Sequence, residues 1–208
     1  MTGLTPERKL KKAKIDIMRS DLPGLRLWAG VMSIGKTHLV DDIPSACTNG
    51  RDEYYGTAFV EQLSVRELSF VCLHEAMHKG LRHLTTWRAM YKENPQLTNA
   101  ACDYVVNRMI VAADPNETVC KFPRNPDGSR MGLYDEKYDG MSAKQVYDLL
   151  KKEQQSGGGQ GAGQGEGGFD EHDWEGAQSG SALLHSLGAA AAPFALPLVL
   201  HLALSLPD

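Results

Sequence analysis

No two of the four cysteines, Cys47, Cys72, Cys102 and Cys120, share a C-x-x-C spacing. That argues against a cysteine zinc knuckle. Cys72 and Cys102 stand inside apolar helical segments and read as small core residues. No large excess of either charge is present, since 22 Lys and Arg face 26 Asp and Glu and the formal net charge is −4 at pH 7. The basic footprint of a nucleic-acid binder is therefore missing, and nucleic acid is not an expected partner. The locally basic run PERKLKKAK (6–14) reads as a solvated helix face. No apolar run follows Met1, so no secretory signal is expected, and a reducing, cytoplasmic setting is the expectation. The sequence shows no internal repeat. At 208 residues it suits one domain, or one domain and a tail.

What is there begins with an amphipathic helix from Thr5 to about Arg19, with Leu10, Ala13, Ile17 and Met18 on one side and Pro6 at its start. LRLWAGVMSI (25–34) reads as a strand of large apolar residues, and THLVDD (37–42) as a weaker one. CTNGRDEYYGTAFV (47–60) carries Asn-Gly, a hairpin signal, and then a Tyr/Phe/Val strand. Ser64 and Glu67 form a capping box that opens a helix running to about Leu84. A nearly all-apolar helix follows from about Thr98 to Ala113, stopped before Pro115. KFPRNPDGSRMG (121–132) is loop, and Ser142 caps a further short helix. From Ser156 to Gly168 the chain is rich in Gly and Gln, as a flexible linker is. The expected organisation is a domain over 1–155, a linker over 156–168 and a C-terminal segment over 169–208.

The chemistry concentrates in FVCLHEAMHKGLRHLTTW (70–87). His74 and His78 are four residues apart, about 40° on a helical wheel, so both imidazoles can aim at one ion. Glu75 lies about 60° beyond His78 on the same side. His-Glu-x-x-His on a helix is a general signature of zinc metalloproteases. Two neutral imidazoles and a carboxylate suit Zn²⁺ with one position left for water. The metal would acidify that water, and Glu75 would serve as general base and acid. The plain alternative is an amphipathic helix whose histidines are incidental to a core stripe of Leu73, Ala76, Met77, Gly80, Leu81 and Leu84.

A third ligand is needed. His83 follows His74 by nine residues, about half a turn away on a continuous helix. It reads as a polar residue at the helix end, ligating only if the helix breaks near Gly80. Asp103 is the expected third ligand. Its helix is apolar except for a stripe of Asn99, Asp103 and Asn107, and a buried carboxylate needs a cation or donors. Asn99 and Asn107 would then orient the carboxylate or the histidines. The alternative is that Asp103 instead accepts an N–H from His74 or His78. His172, in DEHDW (170–174), is a further candidate ligand, and the adjacent Trp174 points to a docked segment. Tyr104, His83 and Tyr54 are candidates for stabilising an oxyanion, although no spacing singles one out.

The run from TNGRDEYYGTAFVEQLSVRELSFVCLHEAMHKGLRH (48–83) through LTNAACDYVVNRMI (97–110) resembles the metallopeptidase domain that accompanies von Willebrand A-like domains in bacteria and phages. Asn99, Ala101, Asp103 and Asn107 match its second helix. GLYDEKYDGMSAKQVYDLL (132–150) and FDEHDW (169–174) are similar to its later segments, so the resemblance covers about residues 5 to 175. It implies an α+β, zincin-like fold: a small mixed sheet, an active-site helix and a backing helix. It implies zinc, peptide or protein substrates, and work beside a MoxR-type AAA+ ATPase and a von Willebrand A-like protein. By the same likeness, the Tyr54–Val60 strand would edge the cleft and pair with an extended substrate. A non-catalytic, metal-stabilised subunit of such an assembly is the alternative.

The uncharged stretch from Gly176 to Pro207 departs from that family. It is long enough for a membrane anchor, but Pro193, Pro197 and His201 and the lack of flanking basic residues argue otherwise. An out-of-frame or truncated end and an apolar packing segment are the other readings. A non-membrane tail is the expectation.

Overall fold

The computed structural model describes residues 3–156 together with His172 and Trp174. The linker and the uncharged tail lie outside these residues, apart from Ser156.

Helix α1 (Pro6–Met18) is capped by Thr5, whose hydroxyl accepts the Arg8 N–H, and it buries Leu10, Ala13 and Ile17. Its basic residues are not all solvated, as the sequence suggested. Lys9 donates to the carbonyls of Val60 and Glu61, and Lys14 reaches Glu53 at 2.5 Å.

The strand expected over 25–34 does not form. Two single turns, α2 (Pro23–Arg26) and α3 (Ala29–Met32), occupy it. Leu25, Trp28 and Met32 are buried at helical spacing, while Leu27 and Ile34 are exposed. Short apolar runs fit either period, and here the three-and-four spacing wins.

The sheet is mixed, in the order β1 (Thr37–Val40), β3 (Glu53–Gly56), β2 (Ala46–Thr48). The pair β1 and β3 is parallel, and β2 and β3 are antiparallel. The Asn-Gly turn joins β2 to β3. Asn49 Oδ1 accepts the N–H groups of Arg51 and Asp52, and Gly50 takes φ 87°, which a side chain disfavours. β3 ends at Gly56, and Thr57–Gln62 forms helix α4. The expectation that Tyr54–Val60 edges a cleft is thus corrected: β3 is central, with both edges already paired.

The capping box forms as expected, and α5 (Val65–Gly80) follows it. α5 is no half-exposed stripe, because every residue from Leu68 to Lys79 is buried. It lies between α1 on one side and α8 (Pro95–Ala113) on the other. The helix stops short of Leu84. Arg82 adopts the left-handed conformation (φ 55°), and His83 begins a new turn, α6 (His83–Thr86). Gly80 permits the tight packing at that end, since a Cβ there would sit 2.5 Å from the Trp28 ring. α7 (Arg88–Glu93) leads into α8, and α9 (Ala143–Gln155) packs on α8 behind a second capping box at Ser142. No described helix is long and apolar enough to cross a membrane.

Candidate metal centre

α5 and α8 pack so that His74, His78 and Asp103 face one another, and His172 joins them. One donor atom from each of the four lies within 4.8 Å of the others, and all four residues are buried. His74 Nε2 and His78 Nε2 are 3.1 Å apart. Asp103 Oδ1 is 3.7 Å from His74 Nε2, 3.5 Å from His78 Nε2 and 3.6 Å from His172 Nε2. A tetrahedral ion with metal–ligand bonds of about 2.0–2.1 Å has ligand–ligand edges of about 3.3–3.4 Å, close to these separations.

The hydrogen bonds behind the rings fix what those atoms are. Asn107 Nδ2 donates to the Leu133 carbonyl at 2.8 Å, so its Oδ1 is left to accept from His74 Nδ1 at 2.8 Å. His74 therefore carries its proton on Nδ1, and Nε2 is a bare lone pair. On the far side of His78, Nδ1 lies 3.2 Å from His83 Nδ1. His78 Nε2 is within hydrogen-bond reach of the His74 Nε2 lone pair at 3.1 Å, and it presents a lone pair of its own when the His78 proton sits on Nδ1, towards His83. Desolvation by burial pushes the His74 imidazole down to about 4, against a smaller opposing pull from Asp103. The same cause holds His78 well below its ordinary value and His83 down to about 3. At neutral pH these rings are uncharged, the form that ligates.

Asp103 Oδ1 is buried and accepts no hydrogen bond among the described residues. A buried carboxylate oxygen that faces the uncharged His74 and His78 imidazoles, without a donor, is costly unless a cation sits among them. The donor set and the orphaned oxygen fit a metal ion.

Other expected site residues fall elsewhere. Glu75 is fully buried on α5, turned towards Tyr55 and Cys72, whose ionisation its charge opposes. His83 is not a polar helix end, because the break at Arg82 buries it behind His78 rather than among the converging donors. Asn99 touches neither carboxylate nor histidine in the way expected. Its Oδ1 accepts the Trp174 indole N–H at 2.8 Å, because Asn99 lies one turn from Asp103, beside the bound indole. Tyr54 stacks on His38, and Tyr104 packs against Tyr138 with the rings tilted by 56°, each outside the four-donor group.

Sequence reasoning undervalued His172, for which the adjacent Trp174 was the available signal. It also missed Lys79, next to His78, whose ammonium is buried 2.5 Å from Glu53 Oε1. A lysine inside so apolar a helix was the clue.

Residues 5–192 match the family described as "Putative metallopeptidase domain". The chain belongs to that family. The match runs on to residue 192, past the 175 suggested by residue resemblance and into the uncharged stretch. Curated proteins and solved structures provide no match to this metallopeptidase-domain chain.

Proposed function

We propose that the chain is a zinc-dependent peptidase of α+β, zincin-like architecture, with α5 as the active-site helix and α8 as its backing helix. The observation that carries this reading is the convergence of the His74 and His78 imidazole nitrogens on the orphaned Asp103 oxygen, with Glu75 adjoining His74 in the chain. His74, His78 and Asp103 would hold the ion, and an imidazole–carboxylate set at tetrahedral spacing favours Zn²⁺. Bound there, zinc supplies Lewis acidity that polarises a carbonyl and acidifies water.

The protein's own residues do the rest. Asn107 keeps the His74 proton on Nδ1, and His83 backs His78. Glu75 takes a proton onto its carboxylate from the attacking water and returns it to the leaving amine. An extended peptide would add to an outer strand of the sheet, and β2 packs on α5. Residues 1–155 form the peptidase domain in this reading, with 156–168 as a linker to the segment carrying His172. The setting in this reading is cytoplasmic, and the family resemblance adds work beside a MoxR-type AAA+ ATPase and a von Willebrand A-like protein.

The test is Glu75→Gln against wild type with matched zinc content and casein as substrate. Loss of a general base lowers turnover about 10²–10⁴-fold. Equal rates in the two proteins, and again in the same pair carrying His172→Ala, would remove the reading. One observation favours a second reading: four buried donors can saturate a tetrahedral ion, which suits a metal-stabilised, non-catalytic subunit of the same assembly. In that case neither protein cleaves casein, and both hold zinc.

A further inference from the structure

The peptidase reading leaves His172 without a task. A catalytic site needs three protein ligands and one exchangeable position, whereas four protein donors close it. His172 Nε2 is 3.6 Å from Asp103 Oδ1, its ring centroid is 4.0 Å from that of His78, and the residue is buried. It stands where a fourth ligand would stand.

His172 does not belong to the helices that fix the other three donors. Its position is set next to Trp174, whose backbone N–H donates to the His172 carbonyl at 2.9 Å. The Trp174 indole donates to Asn99 Oδ1 at 2.8 Å and stacks on Tyr91 at 4.2 Å, 14° from parallel. The indole also packs against Leu84. Those gripping residues sit on α6, α7 and α8, outside the donor set. The contacts of the anchor are therefore distinct from the Asn107 bond that orients His74.

We propose that His172 is a detachable fourth ligand, latched by Trp174, and that the arrangement described is the latent state of the site. Activation is then a ligand exchange. His172 Nε2 would withdraw and open one position of the site to solvent, with no electron or covalent bond of the chain involved. This rests on the peptidase reading of the same residues.

The experiment uses the full chain loaded with cobalt(II), whose visible spectrum reports coordination, titrated with azide, and in parallel a competition titration with zinc. In wild type, azide leaves the spectrum unchanged. In His172→Ala it enters the vacated position, and the zinc dissociation constant rises at least tenfold. Trp174→Ala keeps every donor yet admits azide, so it carries the test even if His172→Ala folds poorly. The proposal is overturned if wild type takes azide as readily as His172→Ala. It is equally overturned if His172→Ala keeps the wild-type spectrum and zinc affinity, or if Trp174→Ala stays closed. Casein hydrolysis separates the two readings. A rise of at least tenfold in His172→Ala, abolished by adding Glu75→Gln, supports both. Azide entry without hydrolysis in any variant keeps His172 as the detachable ligand and removes the peptidase.

Discussion

Asn107 illustrates how one side chain sets the chemistry of another. Its amide nitrogen is committed to the Leu133 carbonyl, so only its oxygen can face His74 Nδ1. Asn107→Ala releases the ring to rotate and to exchange tautomers. The zinc dissociation constant should rise about 10–100-fold, measured by chelator competition, with the fold retained. Burial of the imidazoles makes a second prediction, about acid. In the unfolded chain a histidine takes its proton below about 6.5. In the folded chain His74 resists protonation to about 4 and His83 to about 3, because burial disfavours the charged ring. Below about 6.5 the unfolded state thus binds more protons, and the contribution of each ring to stability falls as pH falls. The loss is about 1.4 kcal/mol per pH unit for each histidine, ending near its folded value, with no change above neutrality. Urea midpoints of the metal-free chain at pH 7.5, 6 and 5 would show it. A midpoint independent of pH over that range would contradict the buried, neutral rings.

At the scale of elements, α5 buries a charge that its neighbours neutralise. Its buried Lys79 has Glu53 of β3 at 2.5 Å, and Lys14 of α1 approaches the same carboxylate at 2.5 Å, while Tyr55 donates to it at 2.9 Å. One glutamate thus ties sheet, first helix and motif helix together next to His78. Removing one partner of a buried charge cluster leaves the others unpaired, which costs about 3–5 kcal/mol. Glu53→Ala should show that loss in urea unfolding, whereas Glu67→Ala, at the exposed capping box, should cost about 1 kcal/mol. The elements were unevenly legible. α1, the capped start of α5, α8 and α9 announced themselves through caps, prolines and periodicity. The stretch 25–34 did not, because ten apolar-rich residues satisfy two periods and only burial of Leu25, Trp28 and Met32 in the main core chooses. Nor did the break at Arg82, a left-handed residue with no glycine to mark it.

For the whole molecule, sequence spacing reveals ligands on one helix and not those that tertiary packing delivers. His74 and His78 could be read from their four-residue interval. Asp103 followed only from the cost of burying a carboxylate, and His172 not at all from spacing, since its place depends on Trp174 docking on Tyr91 and Asn99. The same geometry means that an ion would pin α5, α8 and the His172–Trp174 segment to one point. An ion bound only by the folded chain adds stability of RT ln(1 + [L]/Kd), about 4 kcal/mol when free zinc is 1,000 times its dissociation constant. For a domain of this size each kcal/mol moves Tm by about 2–4 °C, so stripping the metal with a chelator should lower Tm by about 10 °C. Calorimetry across a zinc titration checks the magnitude, and the Trp174 environment gives a local readout. Trp174 should loosen before the core melts, because its described contacts are the indole bond to Asn99, the stack on Tyr91 and packing on Leu84, whereas α5 is buried along its length. A Tm indifferent to zinc and chelator would mean that the four donors hold no ion in solution.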